Sequence, residues 1–225
     1  MKKNIIYLGF ALAIIFASCN SSKNNEEKLA ETPSSEEIKG VENTKKSQGK
    51  YGIKSGIVEY KSNALGMDQT IIITFDDFGN KEVTDTYTEV MGIKDHARTI
   101  IKEGYAYNLN MAEKRYTKVK MMGNSTENLD FTNMGEDMVK KMNFKQLGKE
   151  KIIGKECDKQ SIDYKEMSMK GTYWIWNGIA LKSDITTMGM KVVMEATKID
   201  ENPSIDASKF EVPKDFKEIK NPLNN

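Results

Sequence analysis

The chain is poor in the residues that most often carry chemistry. It has one histidine, His96, so a histidine-centred catalytic triad has one candidate and a two-histidine metal site none within a single copy. His96 lies in Lys94-Asp95-His96-Ala97, read as a surface loop, and no glycine-rich phosphate loop of either standard spacing occurs. No pair of carboxylates is marked by its spacing, and the chain is expected to be a non-enzyme with no cofactor and no metal. Prolines number four, Pro33, Pro203, Pro213 and Pro222. The stretch from Tyr51 to Asn202 is therefore proline-free, as a large sheet requires, because proline cannot donate to a strand ladder. Charge of one sign is also lacking: 34 basic residues face 33 acidic ones, which excludes the basic footprint of a nucleic-acid partner.

What is present begins with Lys2-Lys3, an apolar run from Ile5 to Ala17 and then Cys19. That run is too short to span a bilayer and reads as a secretory leader over residues 1–18. Phe16-Ala17-Ser18-Cys19 resembles a bacterial lipobox, which implies lipidation of Cys19. Acyl chains, at about 0.8 kcal/mol per buried methylene, make a durable anchor when two or more are present. Residues 19–50 are rich in Ser, Asn, Glu, Lys and Thr, too polar to offset their ordering entropy, and read as a tether. Lipid on Cys19 leaves Cys157 as the only thiol, so no internal disulfide is expected and Cys157 reads as a small buried apolar residue.

From Tyr51 the pattern is of strands separated by turn residues, and one domain is expected over 51–219 with a short tail at 220–225. The stretch from Gly171 to Ile199, broken at Asn177-Gly178 and Gly189, predicts a three-stranded meander. Alternation places Met188, Met190, Val192 and Met194 on one face of its last strand, and Trp174 with Trp176 on one face of its first. Between Asn133 and Asn143, Met134, Met138 and Met142 recur every four residues, predicting a short amphipathic helix capped by Asn133. A turn or short helix is expected from Ile205 to Phe210. Met167-Ser168-Met169 and Met188-Gly189-Met190 each pair two thioethers, which admits Cu(I) handling, although core filling is the plainer use of methionine.

The second half resembles the LolA-like envelope proteins. The residues that carry this are Gly148 to Cys157, Tyr173-Trp174-Ile175-Trp176, Gly178 to Lys182, Ala196 to Ile199 and Phe210-Glu211-Val212-Pro213. The resemblance implies a mainly β (α+β) fold: a strongly curved antiparallel sheet, a half-barrel of about 9–11 strands, covered by one or two short helices. It departs from the soluble carriers, which have a long helix where this chain has its tether. The leading expectation is an outer-membrane lipoprotein, anchored in the cell envelope, that binds an acyl or other apolar ligand in the concave face. Met134, Met138, Met142, Trp174, Trp176, Met188, Met190, Val192 and Met194 are the candidate lining. The alternative is a structural or interaction lipoprotein whose cavity is filled by its own helix, with a protein partner of unspecified kind.

Overall fold

The structure, a computed structural model, describes residues 49–64, 66–121 and 129–219. The leader, Cys19, the expected tether up to residue 48 and the tail at 220–225 lie outside the described residues, whereas Gly49 and Lys50, expected in the tether, are held against the domain. Twelve strands form one open sheet in the order β12-β6-β5-β4-β3-β2-β1-β11-β10-β9-β8-β7. Their ranges are β1 Gly56–Ala64, β2 Met67–Asp76, β3 Lys81–Val90, β4 Ile93–Lys102, β5 Tyr105–Asn110, β6 Arg115–Lys120, β7 Lys145–Ile152, β8 Lys155–Tyr164, β9 Met169–Trp176, β10 Ile179–Thr187, β11 Met190–Glu201 and β12 Lys217–Glu218. Each pairs antiparallel with its neighbours except β12, which lies parallel to β6 and makes the sheet mixed. The sheet is curved and does not close. Register shifts at Glu59/Tyr60, Ala180/Lys182 and Gln146/Gly148 insert the bulges that bend strands.

Most hairpins turn on two residues, the second a glycine and both in the left-handed region: Met91-Gly92, Glu103-Gly104, Ile153-Gly154, Asn177-Gly178 and Met188-Gly189. These are the tight turns whose twist matches a right-twisted ribbon. At Gly178 a β-carbon would sit 2.3 Å from the Thr132 hydroxyl and 2.6 Å from the Lys50 carbonyl oxygen. The glycine is thus needed for contact as well as for conformation. The first described residues are fastened here: the Gly52 amide donates to the Asn177 carbonyl and the Tyr51 amide to the Phe78 carbonyl, both at 2.9 Å.

Alternating side chains feed three packed clusters. The first gathers Val58, Tyr60, Phe75, Cys157, Trp174, Leu181 and Ala196; the second lies under α1, Glu136–Lys141; the third lies under the C-terminal segment and centres on Val83, Ile100, Leu109 and Phe210. Cys157 is a free, fully buried thiol within the first, and burial pushes its pKa up. The turn expected near Ile205 to Phe210 is a single 3-10 turn, Ala207–Phe210, capped by the Asp206 carboxylate accepting from the Ser208 amide.

Three expectations need correction. The helix is capped at Gly135, not Asn133, and without a side-chain cap bond. His96 lies in β4 rather than a loop, because the Met91-Gly92 turn is tight enough to start that strand at Ile93. Met188 belongs to a turn, with φ 51°, and not to the last strand.

Candidate functional site

The face beneath α1 is built from two parts. Its floor is supplied by β8 to β10: Ile162, Tyr164, Met169, Tyr173 and Ile175 are buried there, with Ala180 and Ile185 beside them. At Gly171, in the middle of this floor, a β-carbon would come within 2.2 Å of the Asp184 carbonyl oxygen. Only glycine lets β9 and β10 approach so closely. Burial raises the Tyr173 hydroxyl to about 12, so it stays protonated at any physiological pH.

The cover is the segment 129–144. Leu129, Phe131, Met134, Met138, Met142 and Phe144 all pack on the second cluster, and Met142 is fully buried. Phe131 stands 5.1 Å from the Tyr173 ring and 6.4 Å from that of Phe144, in tilted and edge-on arrangements that aromatic quadrupoles favour. Helix α1 has Glu136 and Asp137 in its first turn and Lys140 and Lys141 in its last, complementing its dipole. Its fastening is polar but sparse. Asn133 Nδ2 donates to the Gly49 carbonyl at 2.8 Å, the Thr132 hydroxyl to that of Lys50 at 2.8 Å, and the Asp163 amide to the Met142 carbonyl at 2.9 Å. Asn133, expected as a cap, therefore ties the cover to the start of the domain. Asp130 Oδ1 accepts from the amides of Thr132 and Asn133 and shapes the approach to the helix.

The candidate lining residues divide. Met134, Met138 and Met142 come together over the floor of β8 to β10. Trp174 and Trp176 do not join them, since strand alternation sends these side chains to the side of β9 opposite Tyr173 and Ile175, and they pack with the first cluster. There Trp174 Nε1 donates to Glu150 at 2.8 Å, with the Lys159 and Lys182 ammonium groups 4.9 and 5.3 Å from its ring. The Trp174 bond and then that from Lys159 hold the Glu150 carboxyl below its ordinary range. Met194 packs against this same first cluster. Met190 and Val192 are half-buried, and Met188 is 56% exposed. Met167 ends a 3-10 turn, Lys165–Met167, and Met169 starts β9, so the two thioethers do not lie along one strand, although both border the second cluster.

Sequence reasoning missed a polar cluster on β3 and β4. Asp85, 2% exposed, accepts from Arg98 Nε at 2.7 Å and Nη2 at 3.1 Å, lies 2.7 Å from His96 Nε2, and has Lys209 Nζ 3.4 Å away. His96 also stacks on Tyr87 at 4.3 Å. Burial alone would push the Asp85 carboxyl up. The hydrogen bonds from Arg98 and His96, with the charges of Arg98 and Lys209, overcome it and leave the group below its ordinary value. The signal lay in the hairpin: a two-residue turn at Met91-Gly92 sets Asp85 opposite Arg98 and Tyr87 opposite His96. A second buried carboxylate, Glu82, accepts from the Tyr51 hydroxyl at 2.6 Å and from Lys50 at 3.0 Å.

Two open grooves are also present. One, of about 680 Å³, has Lys61, Asp68, Thr70, Tyr87, Glu89 and Asp95 on its walls; the other, of about 440 Å³, runs along α1 past Glu136, Asp137, Met138 and Lys141. Among the described residues no group of three His, Cys, Asp or Glu could hold a metal ion, and no helix is long and apolar enough to cross a membrane.

No family model and no curated protein matches the chain. Solved structures do. An uncharacterized conserved protein from Thermus thermophilus overlaps with a TM-score of 0.51 at 8% identity, covering 75% of this chain and 91% of that one. That overlap shows a shared fold. The neighbours also include LolA-like proteins: a putative outer membrane lipoprotein-sorting protein domain from Vibrio parahaemolyticus and the Mycobacterium tuberculosis lipoprotein LppX. Their TM-scores are 0.36 and 0.38, their identities 9% and 12%, and they cover 70% and 69% of this chain and 89% and 91% of their own. Overlaps this loose assign no function.

Proposed function

We propose that the chain is an envelope lipoprotein, anchored through Cys19, that binds an acyl chain or similar apolar ligand between the α1 cover and the floor of β8 to β10. It acts by binding and not by catalysis. The observation that carries this reading is the chemistry of the cover. Three methionines of one short segment, with Met167 beside them, meet a mixed floor of Ile162, Tyr164, Met169, Tyr173 and Ile175. Unbranched thioethers repack around an inserted chain with little strain, whereas a cover of branched residues would resist it. The cover is also light, a six-residue helix without a side-chain cap.

One observation favours the alternative, an interaction lipoprotein with a self-filled face: Met142 is fully buried and the cover already occupies the floor. Native mass spectrometry of the gently extracted protein, with fluorescent fatty-acid uptake, separates the two. A bound mass or saturable uptake supports the ligand reading; an apo mass with no uptake supports the self-filled one. Detergent-phase partitioning of the wild type and Cys19→Ala on the same preparations tests the anchor. Partitioning of a mature-sized Cys19→Ala form like wild type would remove it.

A further inference from the structure

We propose that one end of the sheet is a rim that dips into the surface of a lipid bilayer. Strand order brings five turns to that end: β5–β6 at Met111, β3–β4 at Met91-Gly92, β1–β2 at Gly66, β10–β11 at Met188-Gly189 and β8–β9 at Met167. Neighbouring strands lie about 4.8 Å apart, so successive tips stand about 10 Å apart along the rim. Met91 is 98% exposed, Ile93 70% and Met188 56%. The opposite end carries Asp77–Gly79, Glu103-Gly104, Ile153-Gly154 and Asn177-Gly178, where Ile153, at 37%, is the one large exposed apolar side chain among the described residues of these turns. The two ends of one sheet thus differ in the solvent they suit.

A second observation points the same way. Met91 and Met188 hold φ of 52° and 51°, a region that asparagine or glycine occupies with less strain, by about 1 kcal/mol or more; Ile153 at the other end shares that conformation at φ 43° but is far less exposed. The two methionines serve neither the turn nor a core. A protein partner fits poorly, because an interface needs a continuous desolvated centre, typically about 800 Å² on each side. Here the exposed apolar groups are one small tip, Val90, Met91 and Ile93, and a separate Met188 on another turn, with Glu89, Lys94, Asp95 and Lys191 flanking them. The headgroup region of a bilayer accepts separate apolar points and lets flanking lysines reach outward. Mixed charge suits a zwitterionic surface. Distance permits contact as well. About 30 residues separate Cys19 from Gly49, enough to span up to about 100 Å, while a ten-residue strand is about 33 Å long.

This inference goes beyond the ligand reading and stands without it. The test uses the full chain on vesicles of plain or dibrominated phosphatidylcholine, since bromine quenches only indole that enters the lipid. After subtraction of the Trp174 and Trp176 emission, Met91→Trp should shift blue and lose about half its intensity in the brominated vesicles. Ile153→Trp, on the opposite end, should not change. Equal emission of Met91→Trp in both vesicles, or equal quenching at both ends, overturns the proposal. Adding Met91→Asp and Ile93→Asp to a Met188→Trp chain should abolish its quenching; retention shows that the tips do not act together and also overturns it. An unquenched rim whose aspartates instead abolish a dimer in sedimentation makes it a protein interface.

Discussion

Two segments cover this sheet, and they hold it by opposite means. The α1 segment lies on β8 to β10 through methionine and phenylalanine, with a few neutral hydrogen bonds at its margins and one exposed ion pair, Lys141 to Glu166 at 3.5 Å. The C-terminal segment lies on β3 to β6 through Ile205, Phe210, Val212 and Phe216, and is pinned by charge: Lys209 to buried Asp85, Lys102 to Glu211, and Lys114 to Asp215 at 2.7 Å. Its end then adds a strand, β12, to β6. Exposed ion pairs are worth at most about 1 kcal/mol, so Asp85 is the charge that matters. Deformable apolar contact allows a cover to shift, and a buried charge cluster fixes one arrangement. The ligand reading is assigned to α1 for that reason.

The sharpest way to break the contrast is at the pin. Asp85→Ala leaves Arg98, His96 and Lys209 without their common acceptor and should cost about 3 kcal/mol or more, read as a lower urea midpoint. The tail should then become sensitive to protease. Next in size, Met142→Ala should cost about 2 kcal/mol, the low end for a buried methionine, because the neighbouring thioethers close on the gap. A loss near 5 kcal/mol would mean that the cover is as rigid as the tail and would sink the comparison. The smallest effect is that of pH. Asp85 is held below its ordinary value in the folded chain, so the stability it contributes is fully present above about pH 3.9. It is lost as pH falls through the lower folded value. Urea midpoints should therefore fall in acid for the wild type, and less steeply for Asp85→Asn.

Much of this was legible in the chain. The absence of proline from Tyr51 to Asn202, the strand rhythm and the Asn177-Gly178 turn all read correctly, because each rests on local backbone chemistry. The Met134, Met138 and Met142 stripe was legible through its spacing. What failed did so at unusual turns. Met91-Gly92 and Met188-Gly189 put methionine where asparagine gives the usual signal, so the sequence pattern places His96 in a loop and Met188 in a strand. The cavity lining failed for another reason. Trp174 and Trp176 belong to the same strand as Tyr173, but a curved sheet with packed clusters on both sides uses the two faces of that strand for different cores. Periodicity separates the faces without saying which is covered by what. The cluster around Asp85 needed hairpin register, which single residues do not carry.

The fastening of Lys50 to Gly52 has a mechanical consequence. Tension arriving from residue 48 is not delivered to the end of β1 alone. It is shared at once between the turn after β2, through the Tyr51 amide and the Phe78 carbonyl, and the turn after β9, through Gly52 and Asn177. Those turns lie on either side of β1 and β11 in the strand order. A pull on the chain therefore has two points of attachment to overcome before any strand can peel, so the load is borne by a bracket of two turns.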